Sequence, residues 1–109
     1  MTRKEHLTHF NIAGFTYYEG VECFNKLEIG TELTLTLEPD NKYDARAVAI
    51  HFKEFKLGFV PRSDNRIIFK LLTVGLEDAL IARVQAIDKS ENPEHQVQVL
   101  VHLLHQKNN

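Results

Sequence analysis

The chain predicts a mainly β (α+β) domain, an OB-like small β-barrel of about six strands with one or two short helices. Three observations lead there. ELTLTL (32–37) alternates leucine with polar residues, the mark of a strand with one wet face. AVAIHF (47–52), ALIARVQAI (79–87) and HQVQVLVHLL (95–104) read as further strands bounded by short polar turns. A sustained helical period is confined to SDNRIIFKLLTVG (63–75), with a shorter one at 21–30.

Taken in order, HLTHFNIAGF (6–15) partly alternates, with Leu7, Phe10, Ile12 and Gly14 at or near one face, and is read as the first strand. VECFNKLEIG (21–30) spaces Val21, Phe24 and Leu27 for a short helix that ends before Gly30. ELTLTLEP (32–39) is the second strand; AVAIHF (47–52) and KLGFV (56–60) follow, joined by a charged turn at Lys53 and Glu54. Over 63–75, Ser63 or Asp64 is the expected cap, Ile67, Ile68, Leu71 and Leu72 the buried stripe, and Gly75 the stop. The strands at 79–87 and 95–104 flank a polar turn, KSENPE (89–94), with Pro93 confined to the loop. A single domain over 1–109 is expected, with its core at about 7–104 and a loose tail at 105–109.

With 109 residues, such a domain buries roughly two thirds of its unfolded surface, enough for one core without staples. Cys23 is alone, so no intramolecular disulfide is expected, and a single thiol fits a reducing cytoplasm. Its neighbours Val21 and Phe24 point to a half-buried thiol whose pKa Glu22 would raise. MTRKEHLTHF has basic residues with no apolar run behind them, so it does not read as a signal peptide. No segment has the apolar length of a membrane span. The net charge of -2 argues against a coat of nonspecific positive charge. A nucleic-acid role would then need a local basic patch and would be sensitive to salt.

Six histidines raise the question of a metal. His6 and His9, like His102 and His105, are three apart in segments read as strands, where that offset puts the rings on opposite faces. With no second cysteine and no HExxH arrangement, neither a metal nor a cofactor is expected. There is no GxSxG elbow, no phosphate-cradling glycine loop and no assembled set of acid, base and nucleophile, so an enzyme is not expected either.

Arg62, Arg66 and Lys70 recur every four residues and should form one positive ridge. Such a ridge is either a solvated face or a track for phosphates that positions a nucleic acid without reading its sequence. In GFTYYEG (14–20), Tyr17 and Tyr18 point opposite ways if extended, one into the core and one to solvent. An exposed tyrosine beside a basic ridge is what single-strand binders use, each base stack being worth about 1–3 kcal/mol.

GFTYYEG, LEIGTELTLTLEPDNKYDARAVAI and LGFVPRSDNRIIFKLLTVG, in series, resemble the HIRAN domain across residues 7 to about 87. The shared pattern is YY-x-G, a spacer ending in G-x-x-L, the EP-x-N-x-YD-x-x-AV block, and LG-aromatic-VPR-x-x-N leading into a helix. The resemblance implies an OB-like barrel that acts in DNA repair or processing by binding single-stranded DNA at its free 3'-hydroxyl end. It places a stacking role on Tyr17, puts Asn41, Tyr43 and Asp44 around the terminal nucleotide, and gives Arg62 a phosphate contact. Implied partners are single-stranded DNA or DNA 3' ends, with room for a separately encoded helicase or nuclease. Two positions depart from the eukaryotic form: Thr16 stands for an arginine and Phe59 for a histidine. Each change removes a polar phosphate contact, and Arg46, Arg66 and Lys70 are the nearby basic residues that remain.

The block EPDNKYDARAV (38–48) also reads in purely physical terms. Pro39, Asp40 and Asn41 suit a turn. Tyr43 either offers a face to a base or plugs the end of the barrel. The Asp44 carboxylate can accept a hydrogen bond from a terminal hydroxyl and would repel a phosphate there; its competing role is to cap backbone N–H groups in the turn. Arg46 is placed to pair with Asp44 or Glu38. A protein-interaction adaptor is the reading from another class, favoured by the negative charge, by Thr16 and by the lack of an attached motor.

Overall fold

Valines at every second position of the last strand decide where the core lies. Val97, Val99 and Val101 are buried, while Gln98, Leu100 and His102 between them are half-buried on the other face. The computed structural model describes residues 3–92 and 95–105. Within them the strands are β1 (Lys4–Asn11), β2 (Glu32–Leu37), β3 (Val48–Phe52), β4 (Phe55–Phe59), β5 (Leu80–Ile87) and β6 (Val97–Leu104). They form one antiparallel sheet in the order β1-β6-β5-β2-β3-β4. The β2–β5 ladder is short, with Glu32 opposite Arg83 and Leu33 opposite Ala82.

Three strands carry an extra residue: Leu7 in β1, Leu57 in β4 and Gln85 in β5 each interrupt the register. Such bulges add twist and curl a sheet towards closure. The two edges meet beyond β1, where Ala13 and Phe59 exchange both backbone hydrogen bonds at 2.9 Å. The sheet is therefore OB-like and partly open rather than a closed barrel. Gly58 makes that meeting possible: it has a φ of 148°, and a Cβ there would lie 2.3 Å from the Ala13 carbonyl oxygen.

α2 (Asn65–Thr73) packs on β2 and β3 and drives Ile68 fully into the core. Its C-terminus closes as a Schellman motif, with Leu76 N–H on Leu71 O and Gly75 N–H on Leu72 O, and Gly75 left-handed at φ 81°. The expected cap at the other end is absent. Asp64 occupies the N-cap position without a capping bond, because its carboxylate accepts from the Thr8 and Ser63 hydroxyls. Ile67 is half-exposed, contrary to its place in the predicted stripe, since α2 presents mainly its Ile68 edge to the sheet.

The helix expected over 21–30 is replaced by one α-turn, α1 (Gly20–Cys23), and a 3-10 turn, Phe24–Lys26. Only Phe24 and Leu27 of its predicted stripe turn inward; Val21 is 66% exposed. Cys23 is fully buried rather than half-buried, and burial is the first cause that pushes its thiol pKa up. His6 and His9 do not point apart, because the Leu7 bulge shifts the alternation by one. Nε2 of His6 lies 3.0 Å from Nδ1 of His9. His105, placed in the loose tail, donates its N–H to Arg3 O at 2.7 Å. Pro93 and residues 106–109 lie outside the described residues. No helix among the described residues is long and apolar enough to cross a membrane.

Candidate nucleic-acid interface

The β2–β3 connection is built around Asn41. Its Oδ1 accepts from the N–H groups of Tyr43 at 2.9 Å and Asp44 at 3.0 Å, while its Nδ2 donates to Glu38 at 3.2 Å. A side-chain amide that stands in for backbone partners fixes a turn of this kind. The consequence is the posture of Tyr43, which is 86% exposed. The plug reading of this tyrosine is thereby excluded.

Asp44 caps the turn through one oxygen and ties it to α2 through the other. Oδ1 accepts from Arg46 N–H at 2.9 Å; Oδ2 accepts from Asn65 Nδ2 at 2.9 Å and lies 3.7 Å from Arg62 Nε. Arg46 thus meets Asp44 through its backbone. Asn65, at the first position of α2, is 3% exposed, and its Nδ2 also donates to Arg46 O at 3.0 Å. A buried amide satisfied in this way clamps the loop onto the helix. Arg62 adds a second clamp, donating through Nη2 to Tyr43 O at 2.5 Å.

These groups surround a cavity of about 210 Å³ lined by Tyr18, Asn41, Tyr43, Asp44, Phe59 and Arg62, together with apolar wall residues. It is smaller than the usual range for drug-sized ligands, about 300–1,000 Å³. Its aromatic wall pairs Tyr18 with Phe59 edge to face, ring centroids 5.4 Å apart. Lys56 holds its ammonium 4.4 Å from the Phe59 centroid and 4.7 Å from that of Tyr18, and pairs with Glu38. Burial alone would raise the Glu38 pKa, but the hydrogen bonds from Lys56 and Asn41 win and hold it below the ordinary value.

The predicted residues divide into three groups. Asn41, Tyr43, Asp44, Phe59 and Arg62 converge on the cavity. Tyr17, 82% exposed, is not among the lining residues; its ring, like that of Tyr18, lies near Gly14. Arg66 and Lys70 line a second groove, with Leu7, Thr8 and Ile67, so the predicted ridge is divided at Arg62. The tyrosine pair does not split between core and solvent, because Phe15–Tyr17 is a 3-10 turn and the strand alternation does not apply; Phe15 is the buried ring.

Three further residues, Tyr18, Lys56 and Asn65, belong to the site. The resemblance places the stacking role on Tyr17, whereas Tyr18 is the tyrosine of the pair that lines the cavity. Lys56 and Phe59 are three apart, which would separate them in a regular strand, but the Leu57 bulge returns them to one side. Asn65 had a visible signal, the asparagine of VPR-x-x-N at the start of a helix with no helical reason to be there.

The architecture and the cavity define the class: a small OB-like domain with an aromatic and cationic recess at the seam between its edge strands. Residues 6–105 match the model of the HIRAN domain family. The chain belongs to that family. It is also similar in fold to the crystal structure of a protein from Lactobacillus plantarum, with a TM-score of 0.79 and 21% identity over 97% of this chain and 100% of the other. A comparison with curated proteins gave no significant match.

Proposed function

We propose that the chain is a non-catalytic module that binds single-stranded DNA at a free 3'-hydroxyl end. Family membership supports DNA as the ligand, and the chemistry of the recess supports the end. The observation that carries the reading is an incompletely used carboxylate beside exposed aromatic faces. A carboxylate offers about four acceptor sites. Asp44 spends one on Arg46 N–H and one on Asn65, has the Arg62 guanidinium 3.7 Å from Oδ2, and still lines the cavity. A terminal hydroxyl can donate to it while the last base stacks on Tyr43, with Tyr17 and Tyr18 as neighbouring surfaces and Arg62 near the phosphate. Phe59 contributes the wall behind Tyr18 rather than a polar contact.

Magnitudes favour discrimination. Two like charges about 4 Å apart repel by roughly 4 kcal/mol at an effective dielectric of 20. Arg62, with Nε 3.7 Å from Asp44 Oδ2, offsets part of that and leaves a penalty comparable to a stacking contact of about 1–3 kcal/mol. A 3'-phosphate in the position of the hydroxyl should therefore bind more weakly even though the base still stacks.

The test compares 3'-hydroxyl, 3'-phosphorylated and circular single strands of one sequence at low salt. The hydroxyl form should bind at least about tenfold more tightly than either, a difference of about 1.4 kcal/mol. Asp44→Asn should shrink the gap. Equal affinity for all three would remove end recognition and leave plain strand binding. Silence of the Tyr43 and Arg62 NMR signals on titration would hand the protein to the adaptor reading.

A further inference from the structure

We infer that the groove beside the recess carries the nucleotides preceding the last one, so that the strand leaves across residues 61–64 and runs along α2. This rests on the reading above, with the 3' end seated at Asp44. The groove has a volume of about 380 Å³ and is an open trough between β1 and α2.

Continuity is the first argument. Pro61 and Arg62 line the recess, and Ser63 and Asp64 line the groove, so one tight turn, closed by Asp64 N–H on Pro61 O at 2.9 Å, forms the wall between them. A strand leaving the recess past Arg62 meets this trough next.

Charge is the second. Arg66 and Lys70 line the groove and form no ion pair among the described residues. Their four-residue spacing on a helix separates them by about 5–6 Å at Cβ, a step suited to successive phosphates of an extended strand. Asp64, the one acid among the described lining residues, keeps its charge but is held back at the turn by Thr8 at 3.0 Å and Ser63 at 2.8 Å, so it bounds the trough at the end nearest the recess and leaves Arg66 and Lys70 to face the strand.

Apolar surface is the third. Ile67 lies between the two cations in sequence and is 44% exposed, with Leu7 beside it in the same trough. A merely solvated cationic face would not need this floor, whereas riboses and base edges lying between phosphates would use it. The combination gives a footprint of about four nucleotides, the low end for an OB fold, and a fixed polarity.

The experiment uses the full chain and thymidine oligonucleotides of two, four and six residues with free 3' hydroxyls, titrated from 50 to 200 mM salt. Affinity should rise about tenfold from two to four and then level off, and the tetramer's log K against log salt slope should be steeper by about 1.4, two contacts at roughly 0.7 each. Arg66→Gln with Lys70→Gln should erase that increment and leave the dinucleotide within about twofold; a melting curve confirms that the variant folds. A dinucleotide that binds with no gain on lengthening overturns the groove and spares the recess. Equal weakening of the dinucleotide and tetramer by the double variant also overturns it. Capture of an aspartate-rich peptide in place of the longer oligonucleotides would reassign the groove to a protein partner. No binding at any length takes down both readings.

Discussion

Lys56 meets three groups at once, the faces of Tyr18 and Phe59 and the carboxylate of Glu38. Against the upward push of burial, its hydrogen bond, with that of Asn41 and then its charge, holds the Glu38 carboxyl below the ordinary value behind the wall of the recess. Lys56→Ala leaves the burial of Glu38 but removes its main hydrogen bond, so the carboxyl pKa should move upward. The wild-type group sits below its ordinary value of 4.5. Its contribution to stability is therefore complete above that value and is lost as the pH falls through the folded pKa. The variant should be less stable by about 1.5–3 kcal/mol at neutral pH. Urea melts should show that difference narrowing towards pH 3. A difference that is constant with pH would deny Glu38 its part.

Elements show where sequence patterning succeeds and where it fails. β2, β3, β5 and β6 were legible because Leu33, Ile50, Val84 and Val99 sit in regular alternation with more exposed neighbours or in short apolar runs. Residues 15–27 were not, since spacing of Val21, Phe24 and Leu27 mimics a helix while the chain makes successive tight turns around the buried Phe15 and Cys23. The bulges at Leu7 and Leu57 were also invisible: each is a one-residue slip that only the partner strand reveals, and the first reverses the facing argument made for His6 and His9. The turn at Asn41 was readable from its residues, and so were most of the recess residues it supports; the division of the ridge needed the turn at 61–64. Two glycines separate the forces at work. At Gly75 a Cβ would meet open space, so Gly75→Ala should cost only the left-handed strain, about 1 kcal/mol. At Gly58 the Cβ would strike the Ala13 carbonyl, so Gly58→Ala should cost about 3 kcal/mol or more. Denaturant midpoints with unchanged m-values would measure both, and equal costs would show that the seam can yield.

The seam is also the point where the whole molecule and the recess are coupled. β6 is hydrogen-bonded on both sides, with Val99 opposite Phe10 of β1 and Val84 of β5, whereas Ala13 and Phe59 form a single isolated bridge. Few shared bonds make a region open locally before the sheet unfolds. Ala13 and Phe59 line the recess, so separating them destroys the site. Fraying at the Lys4–Leu104 end of the β1–β6 ladder leaves it untouched. A ligand at 100 times its Kd adds about 2.7 kcal/mol to any opening that abolishes binding. Amide exchange in the free protein should therefore be faster at Ala13 and Phe59 than at Val99. A saturating 3'-hydroxyl oligonucleotide should slow the seam amides by about a hundredfold without slowing the ladder end. If the seam already exchanges at the rate of Val99, its edges part only on global unfolding. Binding would then stabilise the sheet as one unit, and the partly open architecture would have no part in admitting the strand.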